Sequence, residues 1–300
     1  MSDRILLTGA TGFIGKAIAR AAVACGHKVL ALVRPGREAE LPPGTQAVRG
    51  SLAELPWEEV KRFEPTVCVH AAWISTPGVY LESPENESLV RWSKDFMAGA
   101  RSAGVQHAVV LGTCIEYAPS DSPLIEQSSV IAPASLYAES KVRLWKALQA
   151  DPVTSGMGLA WARIFYPYGA GEHPQRVCSS ICRKLLRGEA IELKTPDSVK
   201  DYIHVKDVAE AILRILNMRF RGEINVGTGT GISIWDLAGL IARNVGASGQ
   251  VKRAPVAGFD AYPRVVADSG RLRSLGWEPA ISLEQGTLEL CESLREELAA

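Results

Sequence analysis

The chain has 300 residues, 47% of them apolar, with 33 basic and 33 acidic side chains. This is a globular composition with ample core for one large α/β domain or two lobes, and it excludes a disordered chain. Zero net charge gives no bulk electrostatic basis for binding nucleic acid or an anionic membrane, and no apolar run reaches the ~20 residues of a membrane helix. The first element is the strand Arg4-Ile5-Leu6-Leu7-Thr8, which breaks into Gly9-Ala10-Thr11-Gly12-Phe13-Ile14-Gly15 and then takes up helical spacing over 13–25. A buried strand that turns through glycines into a helix suits a pyrophosphate. Gly9 permits the tight turn, Gly12 lets backbone approach phosphate, and Gly15 lets the helix pack closely, while the helix N-terminus offers free N–H groups.

Further strands are expected over 28–33 and 46–49, and Ser51 to Glu54 has capping-box spacing. Apolar runs at 67–72, 107–113 and 159–164 read as buried strands, with helices over 84–103 and 135–150 between them. Strands that are apolar throughout and alternate with helices predict a parallel sheet covered on both faces. Beyond Tyr166 the rhythm loosens: a helix over 175–187, a short strand at 202–204 leading into a helix over 205–217, a strand over 223–226, and helices starting at Ser233 and Ser282. The predicted organisation is a main sheet domain over 1–165, rejoined by 197–226, with a smaller interleaved lobe from 166–196 and 227–300.

Met1 to Arg4 run straight into the first strand, so no secretory leader is expected. The six cysteines lack C-x-x-C spacing and fit a reducing cytoplasm. Cys178 and Cys182, four apart on a predicted helix, have no His or Cys partners nearby in sequence, and no metal site is expected.

Two constellations point to chemistry. An acidic residue at the end of the second strand would bond a ribose 2′-hydroxyl, as NAD requires, but Val33 is followed by Arg34, with Arg37 close by. Arginine suits a 2′-phosphate, which points to NADP. Tyr137 and Lys141 lie at i and i+4 on one helix face. A free tyrosine titrates near ~10, and a nearby ammonium lowers that value toward a usable acid–base range. Thr113, ending the fifth strand, offers a hydroxyl beside Tyr137 for a carbonyl or alcohol oxygen.

In order along the chain, TGATGFIG, VHAA (69–72), LGTCIEYA, YAESK, ARIFYPYGAGE (162–172), KDYIHVKDVAEAI (200–212), Asn225-Val226-Gly227 and Leu275-Gly276-Trp277-Glu278-Pro279 are present. With these motifs the chain resembles the extended short-chain dehydrogenases/reductases of the nucleotide-sugar epimerase/dehydratase/reductase family, over essentially its whole length. The resemblance implies a doubly wound Rossmann-type α/β fold, a hydride-transferring NADP (NAD as the alternative), a nucleotide-sugar substrate in the lobe cleft, and a homodimer through the helices at 84–103 and 135–150. It assigns Tyr137 as general acid/base, Lys141 as the group that lowers its pKa and binds the nicotinamide ribose, and Thr113 as the orienting hydroxyl. Gly9, Thr11, Gly12, Phe13, Ile14 and Gly15 surround the pyrophosphate. Ser51 stands where many relatives contact adenine with Asp, with Leu52 beside it, and Ala71 and Ala72 line the cofactor channel. Trp73, Cys114, Tyr166, Arg176, Lys200, Tyr202 and Arg264 are expected on the substrate side, Lys200 and Arg264 toward the diphosphate or nucleoside.

Departures from the family pattern narrow the activity. Dehydrating relatives carry Asp-Glu directly after the position of Thr113. Here Cys114-Ile115 follow and Glu116 comes one place late, so dehydration is disfavoured. Cys114 and His173 have the chemistry of an acid–base pair for epimerisation, with packing and a loop position as the competing assignment. The expectation is an NADPH-dependent 4-ketoreductase of a nucleotide-linked 4-keto-6-deoxyhexose. The alternatives are an NAD-dependent 4-epimerase and, in a different class, a cofactor-sensing protein with a retired site.

Overall fold

The computed structural model describes residues 2–154 and 156–299. Its first half runs β1 (Arg4–Thr8), α1 (Phe13–Ala24), β2 (Lys28–Val33), β3 (Thr45–Arg49), α2 (Trp57–Phe63), β4 (Val67–His70), α3 (Glu85–Ser102), β5 (His107–Thr113), α4 (Leu136–Ala150) and β6 (Gly158–Ile164). The second half continues β7 (Tyr166–Tyr168), α5 (Val177–Leu186), β8 (Ile191–Leu193), β9 (Val199–Lys200), β10 (Tyr202–His204), α6 (Val205–Asn217) and β11 (Gly222–Val226). It ends with β12 (Ile232–Ser233), α7 (Ile234–Val245), β13 (Val251–Arg253), β14 (Arg264–Val265), α8 (Gly270–Ser274) and α9 (Leu283–Ala299).

Seven parallel strands form one sheet in the order β11-β6-β5-β4-β1-β2-β3. Side chains alternate across the strands, so both faces are apolar. Ile5, Leu7, Val69, Val109 and Leu111 pack with α1 and α6 on one face; Leu6, Cys68, Ala108 and Val110 pack with α2, α3 and α4 on the other. The order reverses between β1 and β4, and a crevice opens at the carboxyl ends of these strands, where such sheets take ligands. Tyr168, α5, α7 and α9 share a separate core that forms the lobe over this edge.

Local chemistry sets the element ends. Ser135 Oγ accepts from the Ala138 N–H to start α4, and Ser233 Oγ does the same from Asp236 for α7, which Gly246 ends in the left-handed region. Ser51 to Glu54 is a turn rather than a helix start: the Glu54 N–H bonds Ser51, and α2 begins only at Trp57. The short strands β7, β8 and β12 to β14 carry no periodic signal because two or three residues do not make a period.

Gly15 sits where any side chain would collide, since a Cβ there would lie 2.0 Å from the Gly9 carbonyl oxygen. Gly15→Ala is expected to push α1 off the turn and to lower the urea midpoint by the equivalent of about 1–3 kcal/mol, the usual cost of overpacking.

Candidate active site

A cleft of about 1160 Å³ runs from the glycine turn, across the sheet edge, to the lobe. Gly9, Thr11, Gly12, Phe13, Ile14 and Gly15 form one end of its wall. Gly9 has a positive φ of 75°, and a Cβ there would lie 2.7 Å from the Ala71 carbonyl carbon, so only glycine lets the turn and β4 approach this closely. Helix α1 starts at Gly12 with no capping side chain and no acidic residue in its first turn. The amide dipoles there face the cleft without a competing carboxylate, as a diphosphate requires. His70, fully buried, bridges Thr8 Oγ1 (2.8 Å) and Ser93 Oγ (2.9 Å), and Thr8 Oγ1 accepts the Ala72 N–H (3.2 Å). Burial, helped by the Lys141 charge, pushes His70 down to about 3, so it serves here as a neutral hydrogen-bonding group. This relay holds Ala71 and Ala72 in the channel wall.

Arg34, Arg37, Ser51 and Leu52 line the outer end of the cleft. Arg37 is taken up by Glu40 through two bonds of 2.5 and 2.6 Å. Arg34 is exposed and has no ion-pair partner among the described residues. No carboxylate stands at the end of β2, where Val33 gives way directly to Arg34. The outer end of the cleft therefore offers a guanidinium, and no acidic side chain from β2, to whatever occupies it.

Thr113, Tyr137 and Lys141 meet midway along the cleft. Thr113 ends β5, and its N–H is fixed by Glu116 Oε1 at 2.8 Å. Its hydroxyl lies beside Tyr137 of α4 in the cleft wall. Lys141, one turn on, is buried; its Nζ donates to Leu111 O at 2.7 Å and lies 3.9 Å from the centre of the Trp73 ring. The expected acidification of Tyr137 is absent from this arrangement. Burial raises the phenol above its ordinary range, Tyr80 and Glu116 add to this, and the Thr113 hydroxyl only partly opposes it. Lys141 Nζ is 5.9 Å from the Tyr137 ring centre, drawn to Leu111 O and Trp73, and burial pushes it down to about 7 against the raising influence of Glu116. Tyr137 thus stands as a protonated phenol at neutral pH.

Glu116 is not a cleft group. It is fully buried and accepts from Arg163 Nε (2.7 Å) and Trp161 Nε1 (3.0 Å), while Arg163 also donates to the Tyr117 hydroxyl (3.1 Å). Cys114 lines the cleft as a thiol that burial pushes up to about 12, too high for a base, and His173 lies on the rim. Trp73, Tyr166, Tyr202 and Arg176 line the substrate side.

Lys200 and Arg264 do not line the cleft. Lys200 is buried, its Nζ bonded to Asp260 Oδ2 at 2.8 Å and to Tyr262 O, so its charge fastens the 254–263 loop and does not face a diphosphate. Arg264 opens the edge strand β14, paired with β9. Glu172, at the end of the 162–172 motif, and Tyr80, which follows β4, also line the cleft. Glu172 is buried, and burial pushes it up to about 7 against a bond from the Gly169 amide. Tyr80 stands edge-on to Tyr137 at 4.9 Å.

Over 305 aligned residues the chain is 28% identical to a UDP-glucose 4-epimerase of Streptomyces lividans, covering 93% of this chain and 92% of that protein. It is 26% identical to GDP-L-fucose synthase 1 of Arabidopsis thaliana, covering 95% and 91%. A crystal structure of UDP-glucose 4-epimerase from Thermus thermophilus in complex with NAD matches with a TM-score of 0.84 at 28% identity, over 97% of this chain and 99% of that one. The profile of the NAD dependent epimerase/dehydratase family matches residues 5–227, through the glycine turn, Thr113 and the Tyr137–Lys141 pair. The chain belongs to this family, within the extended short-chain dehydrogenases/reductases that act on nucleotide sugars.

Proposed function

We propose that this protein reduces a nucleotide-linked 4-keto-6-deoxyhexose at C4 with NADPH. The observation that carries the proposal is the end of β2, which bears Arg34 and no acidic side chain, in the same cleft as Thr113, Tyr137 and Lys141. Bound NADPH supplies the hydride. Thr113 holds the ketone oxygen, and Tyr137 gives it the proton. Lys141 would donate to the ribose hydroxyls of the bound cofactor. Cys114 and Ile115, directly after Thr113, offer no acid or base for loss of water, and Glu116 is sealed in its ion pair.

A 4-epimerase is the second reading, favoured by the likeness to UDP-glucose 4-epimerases, one of them solved with NAD. The cofactor released on denaturing the purified protein separates the two. A reductase yields little bound NAD and consumes NADPH; an epimerase yields stoichiometric NAD.

Arg34→Asp is expected to weaken NADPH binding about 10- to 100-fold, the worth of a charge-assisted bond, with NADH binding unchanged or tighter; fluorescence titration of both cofactors reads this. An effect equal on both cofactors would remove the 2′-phosphate assignment.

The pH profile follows from Lys141. Its folded value is depressed to about 7, so the ammonium is present below that pH and lost above it. Because kcat/KM reports the free enzyme, it is expected to fall as pH rises through about 7. Glu172 titrates in the same region, so the profile is measured in Glu172→Gln as well, where the falling limb is expected to persist.

A further inference from the structure

The loop between β4 and α3 covers both members of the catalytic pair. From its start, the Trp73 ring lies over Lys141 Nζ at 3.9 Å. From its far side, the Tyr80 ring stands edge-on to Tyr137 at 4.9 Å and 83°, and Leu81 O accepts the Tyr137 N–H at 2.9 Å. The loop between these rings has no helix or strand to hold it. One side chain does so instead. Asn86, fully buried in the first turn of α3, accepts from Trp73 Nε1 (2.8 Å) and donates through Nδ2 to Tyr80 O (2.7 Å) and Ser83 O (2.9 Å).

The orientation of this amide is dictated by its partners. The indole N–H only donates and the two carbonyls only accept, so the reversed amide would set donor against donor and acceptor against acceptor. Aspartate offers no donor to the two carbonyls, and leucine satisfies none of the three groups. Arg176, from the lobe, completes the arrangement: its guanidinium lies 5.1 Å from the Tyr80 ring centre and donates to Ser75 O at 3.0 Å.

We propose that Asn86 is a positioning residue for the reduction, fixing Lys141 through Trp73 and Tyr137 through Tyr80. The inference rests on the assignment of Tyr137 and Lys141 made above. Tyr80 acts by its ring edge and backbone, not by its hydroxyl, and Trp73 by its ring face. Displacements on the order of 1 Å at a reacting group cost about 100-fold in rate, so the effect of loosening this loop falls on kcat.

The test compares Tyr80→Phe, Tyr80→Leu and Asn86→Ala in the full chain, using the UDP-, GDP-, CDP- or dTDP-linked 4-keto-6-deoxyhexose that supports NADPH oxidation. Tyr137→Phe serves as the reference, and urea midpoints confirm folding. Tyr80→Phe is expected to stay within about threefold of the parent, and Tyr80→Leu and Asn86→Ala to lose about 10- to 100-fold in kcat with sugar KM moved less than about threefold. The double variant Asn86→Ala/Tyr80→Leu is expected to lose little more than Asn86→Ala alone, because the Tyr80 contact is common to both. If Asn86→Ala does not fold, the contrast between Tyr80→Phe and Tyr80→Leu carries the test. Unchanged kcat in Tyr80→Leu overturns the inference, and so does a loss in sugar KM that Tyr80→Phe shares, which makes Tyr80 a substrate contact. Full turnover in Tyr137→Phe overturns the catalytic assignment itself and the inference with it.

Discussion

Replacing Tyr137 by phenylalanine is expected to lower kcat by about 10²–10⁴-fold, the usual contribution of a positioned proton donor, while NADPH binding and the urea midpoint stay near those of the parent. The substitution removes one oxygen and keeps the ring that packs against Tyr80. The backbone bond to Leu81 O is also unaffected. Thr113 remains fixed through Glu116. The loss belongs in kcat because the proton moves only as the carbonyl oxygen gains charge. Stopped-flow measurement of NADPH oxidation under single-turnover conditions reads this step directly. A variant that turns over at the parent's rate would remove Tyr137 as the proton donor.

The second large effect concerns stability. Arg163→Leu leaves Glu116 as a buried charge with only the Thr113 amide and Trp161 Nε1 as partners. Breaking a buried pair in this way costs about 3–5 kcal/mol, most of it the burden of the uncompensated charge. Urea unfolding is expected to show that loss in Arg163→Leu. Glu116→Gln combined with Arg163→Leu is expected to recover part of it, since no unpaired charge remains. Because Glu116 Oε1 also fixes the Thr113 N–H, the single variant is expected to lose kcat as well. A midpoint unchanged in Arg163→Leu would mean that the network under Thr113 is incidental.

The elements easiest to read in the sequence are those whose chemistry is local. The glycine turn, its flanking strand and helix, and the Tyr137–Lys141 face each depend on spacings of a few residues, and the structure places them along one cleft. Arg34 is legible for the same reason, as the residue directly after β2.

What escaped the sequence depends on partners far away in the chain. Lys200 resembles a diphosphate ligand until Asp260, sixty residues on, claims its ammonium. Glu116 resembles a displaced catalytic carboxylate until Arg163 and Trp161 enclose it. Asn86 sits beside an aperiodic loop, where neither helical nor strand spacing marks a buried position. The acidification expected of Tyr137 failed for a further reason. The i,i+4 relation puts Lys141 on the correct face, but Leu111 O and Trp73 decide where its ammonium rests.

Net hydride transfer from NADPH to a sugar carbonyl can be followed by isotopic labelling. The protein is incubated with NADPH deuterated at the transferable position of nicotinamide C4 and a nucleotide-linked 4-keto-6-deoxyhexose, and the product is analysed by mass spectrometry and proton NMR. One NADP is expected to form per sugar consumed, with deuterium at C4 of the sugar. Unchanged NADPH, together with interconversion of C4 epimers by protein that releases NAD on denaturation, would contradict it.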